Sequence, residues 1–480
     1  MARGQRRGVG TEGYRPPFEV LDLSYAEALQ TLHAACKFGI QPMLETVVDM
    51  LAELGDPDLS FRSLQIAGTN GKTSTSRYAA AILRGQGLRV ALYTSPELVS
   101  LTERMEVDGV PVSEGTFARG VAAAAEAGRR VNIRRRASGE RPYDVTQFDI
   151  LTVAACVVFA QADVDVAVLE CGMGGRWDAT SAVKSIEAVA VTGVGLDHTR
   201  ILGDTLEAIA GEKAAIIRCG QSCVLGVGTA TPDSVEDVFL DRCRSQDVTP
   251  VLLRPERFED AAGEMYAGVP RRHASLLRAS YRITSRPRCL GAPLELTVRT
   301  PRRAYTGLTA LKPSYQAANI ACAVTLTEAF LDGELDGDRL LKSVRQCPTP
   351  GRFSLLRPNP PVLVDACHNP QSVDAFLAAL QDIAPDPATR PPLLCAVLAD
   401  KDVGGIVSRL ARAFPAVVCT QTSSSRSLGA DELVRRFLAA GAKVTGSYGS
   451  VAAALAAMSA GPLVGCGSIT LAGALAALLA

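Results

Sequence analysis

The sequence lacks the marks of several protein classes. Its 50 Lys and Arg balance 50 Asp and Glu, so no net field draws it to nucleic acid or to an anionic membrane. No stretch reaches the ~18 uninterrupted apolar residues that span a bilayer. The Ala-rich end, LAGALAALLA, is too short for that and reads as a buried helix closing a second domain. No apolar run follows the basic start MARGQRRGVG, so it is not a secretory signal and reads as a mobile tail. Thirteen cysteines are scattered singly, and the closest pair, Cys219 and Cys223, has no histidine nearby. Neither a disulfide framework nor a metal cluster follows from that spacing; reduced thiols in a cytoplasmic setting do.

What is present is an α/β pattern. The 480 residues allow two or three domains at roughly 100–200 residues each. Short apolar runs alternate with amphipathic helical patterns, the rhythm of a mainly parallel sheet. Strands are expected at Ser63–Ala67, Val90–Tyr93, Val164–Leu169 and Ala188–Thr192, with helices at Ser74–Leu83, Phe148–Phe159 and Thr205–Ile217. Further on, Val362–Asp365, Leu393–Leu398, Ala416–Thr420 and Leu463–Gly465 read as strands. The helices among them are Ser372–Leu380, Asp431–Ala440 and Val451–Met458. From about Asp237 to Arg303 the rhythm breaks, and antiparallel strands or long loops are expected. The Pro- and Gly-rich RQCPTPGRF punctuates the chain. It places a boundary near 347–352, giving domains 1–347 and 353–480 joined by a linker 348–352.

Strand Ser63–Ala67 leads into Gly68-Thr69-Asn70-Gly71-Lys72-Thr73-Ser74 and at once into a helix. A strand, a Gly-rich turn and a helix start present backbone N–H groups to an anion. Lys72 would reach the outer phosphates of ATP. The full phosphate-loop spacing asks for glycine at position 66, where Ile66 stands. A glycine turn that only joins strand to helix is the bland alternative.

LECGMGGRWDATS follows another strand and sets Glu170 near its carboxyl end, where ligands of open α/β sheets gather. A carboxylate there needs a cation or donors, and a buried pair with Arg176 would also supply them. The next strand runs into Leu196-Asp197-His198-Thr199, with one of only four histidines. Lys213 follows in a helical stretch, where by pattern alone it is a solvated lysine.

IAGTNGKTS resembles the nucleotide loop of the Mur ligase superfamily. In order along the chain, TSPELVSLTERMEVDG, LECGMGGRWDATS, GLDHTRILGDTLEAIAGEKAAIIR, TPGRF, VDACHNP, LADKDV and CGSITLAG resemble the dihydrofolate synthase/folylpolyglutamate synthase branch. YAEALQTLHAACKFGIQPML is similar to that family's first helix and turn. The resemblance covers roughly residues 24–475. It implies an N-terminal P-loop ATPase domain of Mur ligase type and a smaller Rossmann-like C-terminal domain. It implies an ATP-dependent ligase, acting as a monomer, that joins L-glutamate to a folate-type carboxylate through an acyl phosphate. The acceptor would be dihydropteroate, a folyl-polyglutamate, or both.

By that resemblance Ser95 and Glu170 hold one Mg2+, and His198 with a carbamylated Lys213 holds a second. A monovalent cation belongs to the same set. Asn319 contacts adenine and Arg352 the γ-phosphate, and Asp365 and His368 face the nucleotide. Ser468 lies on the glutamate side.

Four positions depart from the family pattern. Thr73 replaces a glycine, where it can cap the helix or meet magnesium. Glu97 and Thr102 stand where His and Asn are usual; Glu97 can pair with Arg104 or alter which pterin substrate binds. Trp177 replaces an aliphatic residue and is expected to pack. Three other readings fit the sequence less well. A peptidoglycan Mur ligase would need an extra N-terminal domain that about 60 residues cannot form. A P-loop NTPase switch leaves Arg352, Asp365 and His368 without a role. In a catalytically dead folate-binding relative, Lys72, Glu170, His198 and Lys213 would have no reason to be intact.

Overall fold

Apolar residues run almost unbroken through the central strands because helices cover both faces of the sheet they form. The computed structural model describes residues 13–35, 43–256, 276–458 and 461–480. The expected N-terminal tail lies outside the described residues. Most of the turn after the first helix also lies outside them.

Eleven strands make the first sheet: β1 (Arg62–Ala67), β2 (Val90–Tyr93), β3 (Met105–Val107), β4 (Val110–Pro111), β5 (Val166–Glu170), β6 (Ile186–Gly193), β7 (Ser222–Gly228), β8 (Val251–Pro255), β9 (Leu277–Ser285), β10 (Leu294–Arg299) and β11 (Ala304–Ala310). Their order is β11-β10-β9-β8-β7-β6-β1-β5-β2-β3-β4. The strands from β2 to β9 in that order are parallel, and antiparallel pairs close both edges. From β1 the chain crosses to β2, two places away on one side, and β6 flanks β1 on the other. Such a switch leaves a crevice at the carboxyl end of β1.

One face of this sheet packs against Gln147–Gln161 and Glu114–Ala137, the other against Lys72–Gly85 and Gln316–Leu331. Helix Gln147–Gln161 is buried on nearly every side, and its start is fixed by a reciprocal Thr146–Asp149 capping box. The long helix Glu114–Ala137 was not foreseen. Its buried positions are mostly Ala, Gly and Val, which leave no broad stripe of large apolar residues to read.

The second sheet has six strands: β12 (Ser354–Pro358), β13 (Pro361–Asp365), β14 (Leu393–Cys395), β15 (Val417–Thr420), β16 (Val444–Tyr448) and β17 (Leu463–Cys466). Their order is β12-β13-β17-β14-β15-β16, parallel apart from the β12–β13 edge. Helix Gly337–Gln346 is the last element against the first sheet, and β12 the first in the second.

Several expectations need correction. Residues 237–245 belong to helix Asp233–Ser245, and β8 continues the parallel sheet; only β9–β11 form the expected antiparallel strands. The strand begun at Leu393 stops at Cys395, and the helix around Lys213 stops at Ala214. The final helix, Ile469–Leu479, buries Leu471, Ala472 and Leu475 but leaves Leu478 exposed, so it covers the second sheet with one face only. No helix among the described residues is long and apolar enough to cross a membrane.

Candidate active site

Three strand ends of the first sheet converge at the crevice. Beyond β1 the chain turns through Gly68–Gly71 into helix Lys72–Gly85. Two glycines are required there. Gly68 has φ +152°, and a Cβ on it would stand 1.9 Å from Thr192 Oγ1; Gly71 has φ +86°, with Asn319 Oδ1 only 2.4 Å from its Cβ position. The Thr192 hydroxyl, near the end of β6, donates to the Asn70 carbonyl at 2.6 Å and ties the loop to the sheet.

Two lysines meet on this loop. Lys72 Nζ donates to the carbonyls of Gly68 (3.0 Å) and Thr69 (3.2 Å), and Lys213 Nζ donates to the same Gly68 carbonyl at 3.1 Å. Lys213 is not solvated: it is 3% exposed. Burial, and then the charge of Lys72, lower its pKa from 10.5 to about 7.

Glu170 ends β5 and is 1% exposed. It accepts from Thr73 Oγ1 (2.8 Å) and the Ser95 N–H (3.3 Å). Burial pushes its pKa up, against the pull of Lys72, Thr73, Ser95 and Arg352. Arg176 is not its partner, because Arg176 pairs with Glu212 at 2.9 Å. Thr73 therefore spends its hydroxyl on Glu170, and no side chain caps the helix. Glu97 pairs with Arg104 at 2.5 Å. Trp177 does not pack as expected and is 49% exposed.

The second sheet faces the crevice with the end of β13. Asp365 is buried and accepts from the Phe353 N–H (2.9 Å), the Cys367 N–H (2.8 Å) and, from the first sheet's side, Tyr315 Oη (2.7 Å). It holds its turn and also contacts across the crevice. Burial raises its pKa, opposed by the nearby Arg352. His368 Nδ1 stands 2.9 Å from the Ala366 carbonyl oxygen. Asn369 caps helix Pro370–Ile383 and donates to Asn70 Oδ1 (3.0 Å), while Asn70 donates to Gln371 Oε1 (2.8 Å).

A cavity of about 330 Å³ takes its walls from both sheets. Every residue proposed from the sequence for nucleotide or metal contact lines it: Gly68 to Ser74, Ser95, Glu170, His198, Lys213, Asn319, Arg352, Asp365 and His368. Ser468 stands apart from that lining, buried at the cap of the last helix and accepting from the Leu471 N–H at 3.2 Å.

Asp197 and Lys401 were not singled out, although both lie within quoted motifs, LDHT and LADKDV. Lys401 Nζ reaches Asp197 Oδ1 at 2.6 Å, and His368 Nε2 lies 3.6 Å from Asp197 Oδ2. Only the fold brings them together, since 204 residues separate Asp197 from Lys401. Burial raises the Asp197 pKa, but bonds from His368 and Lys401 outweigh it and hold the carboxyl well below its usual range. His198, in the left-handed region at φ 53°, has its pKa lowered to about 4 by burial, despite Asp197 nearby. Its imidazole is neutral at neutral pH, as a metal ligand requires.

A double-mutant cycle on Asp197→Asn and Lys401→Met should give a coupling of about 0.5–3 kcal/mol in unfolding free energy. Additive losses would show that the contact does not hold the two units together.

Residues 66–225 match the model of the Mur ligase middle domain, and residues 351–467 match that of the Mur ligase glutamate ligase domain. The dihydrofolate synthase/folylpolyglutamate synthase of Mycobacterium tuberculosis is 33% identical over 413 residues, covering 84% of this chain and 78% of that protein. A probable bifunctional folylpolyglutamate synthase/dihydropteroate synthase of Haloferax volcanii is 32% identical over 90% of this chain. The chain spans about half of that relative's length, 47%. The crystal structure of the M. tuberculosis folylpolyglutamate synthase complexed with ADP and AMPPCP superposes with a TM-score of 0.81 at 28% identity. It covers 95% of this chain and 98% of that one.

Proposed function

Because the chain belongs to the dihydrofolate synthase/folylpolyglutamate synthase family of Mur ligases, we propose that it uses ATP to join L-glutamate to a folate-type carboxylate. The observation that carries this reading is the shared cavity. It sets a phosphate loop, a buried acid and a buried lysine from one sheet against an arginine, an acid and a histidine from the other. We divide the chain into an ATP-binding domain at 1–347, a linker at 348–352 and a glutamate ligase domain at 353–480. The reaction is assigned to the cytoplasm and to a monomer.

The donor set fits magnesium. Mg2+ favours one or two carboxylates completed by water and substrate phosphates, and Glu170 is a buried carboxylate beside the hydroxyl of Thr73 at the loop. Glu170 and Ser95 would hold one ion, and His198 with Lys213 a second. As an ammonium Lys213 would repel the ion. Its lowered pKa leaves a neutral amine able to add carbon dioxide and become a carboxylate-like carbamate. When bound, the ions would neutralise phosphate charge. A monovalent cation would complete the set.

A free carboxylate resists an amine because resonance and negative charge repel the nucleophile. The chain's task is to position a carboxylate oxygen for in-line attack on the γ-phosphorus, forming an acyl phosphate as ADP leaves. Loop N–H groups, Lys72 and Arg352 would hold the phosphates; transfers of this kind depend on positioning and charge neutralisation. Asn319, beneath Gly71, would contact adenine. The glutamate amine then forms the amide through a tetrahedral species, releasing phosphate and a proton. The acyl phosphate must meet the amine before water does. Asp365, His368 and Lys401 reach across the crevice, which suits closure over the reacting groups.

The test is ATP-dependent phosphate release with dihydropteroate, with tetrahydrofolate, and with no pterin, each with and without glutamate. Release should require both glutamate and a pterin, and the better pterin identifies the dominant activity. Release that ignores glutamate, or none with either pterin, would reject the folate assignment.

A further inference from the structure

A second, larger cavity of about 640 Å³ shares no lining residue with the first. Its walls come from the β3–β4 edge, the loop between β9 and β10, the segment after β11, the joining segment around Thr349, and the β12 side of the second sheet. That volume falls within the usual range for small-molecule sites, and such sites favour the seams between domains.

The wall carries two basic and two acidic side chains, but they are not evenly partnered. Arg77 pairs with Glu106 at 2.7 Å, with both side chains less than a tenth exposed. Glu103 accepts from the N–H groups of Leu98, Val99 and Ser100. Both carboxylates are therefore engaged. Lys312 lines the same cavity, half-buried, and no hydrogen-bond or ion-pair partner for it is found among the described residues. Burial, with Arg77 nearby, lowers its pKa. Two further polar atoms of the wall, Arg77 Nε and Thr349 Oγ1, are buried without partners. The remaining lining is largely Pro, Leu and Ala. An ammonium withdrawn from water without a counter-ion costs free energy that a bound anion would offset.

We propose that this cavity is a second ligand site, for a small carboxylate with an apolar body whose anionic group pairs with Lys312. The body would lie on the apolar wall. The occupant would touch both sheets and the segment that joins them, so binding there would favour the arrangement in which the two units are closed on each other. The site is independent of the ligase reading, since no residue assigned to that chemistry lines it.

Cys289, exposed in the cavity wall, supplies a reporter. Dithiobis(nitrobenzoate) is an aromatic carboxylate disulfide. The Cys289 thiolate attacks one of its sulfurs, the reagent S–S bond breaks, a mixed disulfide forms and one thionitrobenzoate leaves. Modification is followed by peptide mass on the full chain, with exposed Cys219, outside the cavity, as reference. The rate at Cys289 should saturate with reagent, fall about tenfold in Lys312→Gln as one charge-assisted contact is lost, and return in Lys312→Arg. Neutral dithiodipyridine should modify Cys289 equally in all three proteins. A rate linear in reagent, or one indifferent to Lys312, overturns the proposal. So does an equal fall with both reagents, which would report a change in thiol exposure.

Discussion

Replacing Lys72 with alanine should lower turnover by about 10²–10³-fold, the usual cost of removing one preorganised charge-stabilising donor, and leave the melting temperature nearly unchanged. The side chain sits at a loop–helix junction, only partly buried, and its ammonium bonds to two carbonyls of its own loop. Those local contacts do little for the core, and changes away from packed or networked positions usually cost little stability. The same ammonium sits beside Lys213 and lowers that lysine's pKa, so its loss should also make Lys213 easier to protonate. Turnover and ADP affinity, measured beside thermal melts, separate the outcomes. Intact turnover would remove Lys72 from the chemistry. A collapsed melt would make it a structural residue.

The parts of the site that sequence alone exposed are those whose chemistry and local structure coincide. Gly68 to Thr73 could be placed because a strand, a glycine turn and a helix follow within a few residues. Glu170 could be placed because it ends an apolar run, where a carboxylate stands out; Asp365 came into the site only through the family resemblance, since a turn cap after a strand looks the same in sequence. Lys213 is the opposite case. Its helix has no strong apolar stripe, and nothing nearby in sequence says the side chain turns inward; burial comes from the phosphate loop folding over it. Lys401 and Asp197 each look like ordinary loop charges, and their pairing depends on how the two sheets face one another. The same limit applied to the fold. β16 has three of its five residues half-buried, at alternate places, and none fully buried, so it gave little apolar signal. Glu114–Ala137 packs through small residues that a search for large apolar ones passes over.

Lys213 carries the other large effect. Lys213→Ala should cost about 10²–10³-fold in turnover, as removal of a charge-stabilising group at the phosphates, and added acetate should restore part of it by placing a carboxylate in the space vacated. A merely structural lysine gives no reason for rescue by a small carboxylate, so failure of acetate across its full concentration range would count against the carbamate. The pH dependence of stability offers a separate check in metal-free, carbon-dioxide-free buffer, where the amine is unmodified. Its folded pKa is about 7 against the ordinary 10.5, so across that window the unfolded chain binds more protons at this residue than the folded protein does. Stability from this group must then rise with pH between about 7 and 10.5, and it is lowest below that window, where the buried amine is forced to carry charge. Lys213→Met should flatten that part of the profile relative to the parent. Parallel profiles would mean that the amine is protonated alike in both states, leaving too little neutral amine to take up carbon dioxide near pH 7.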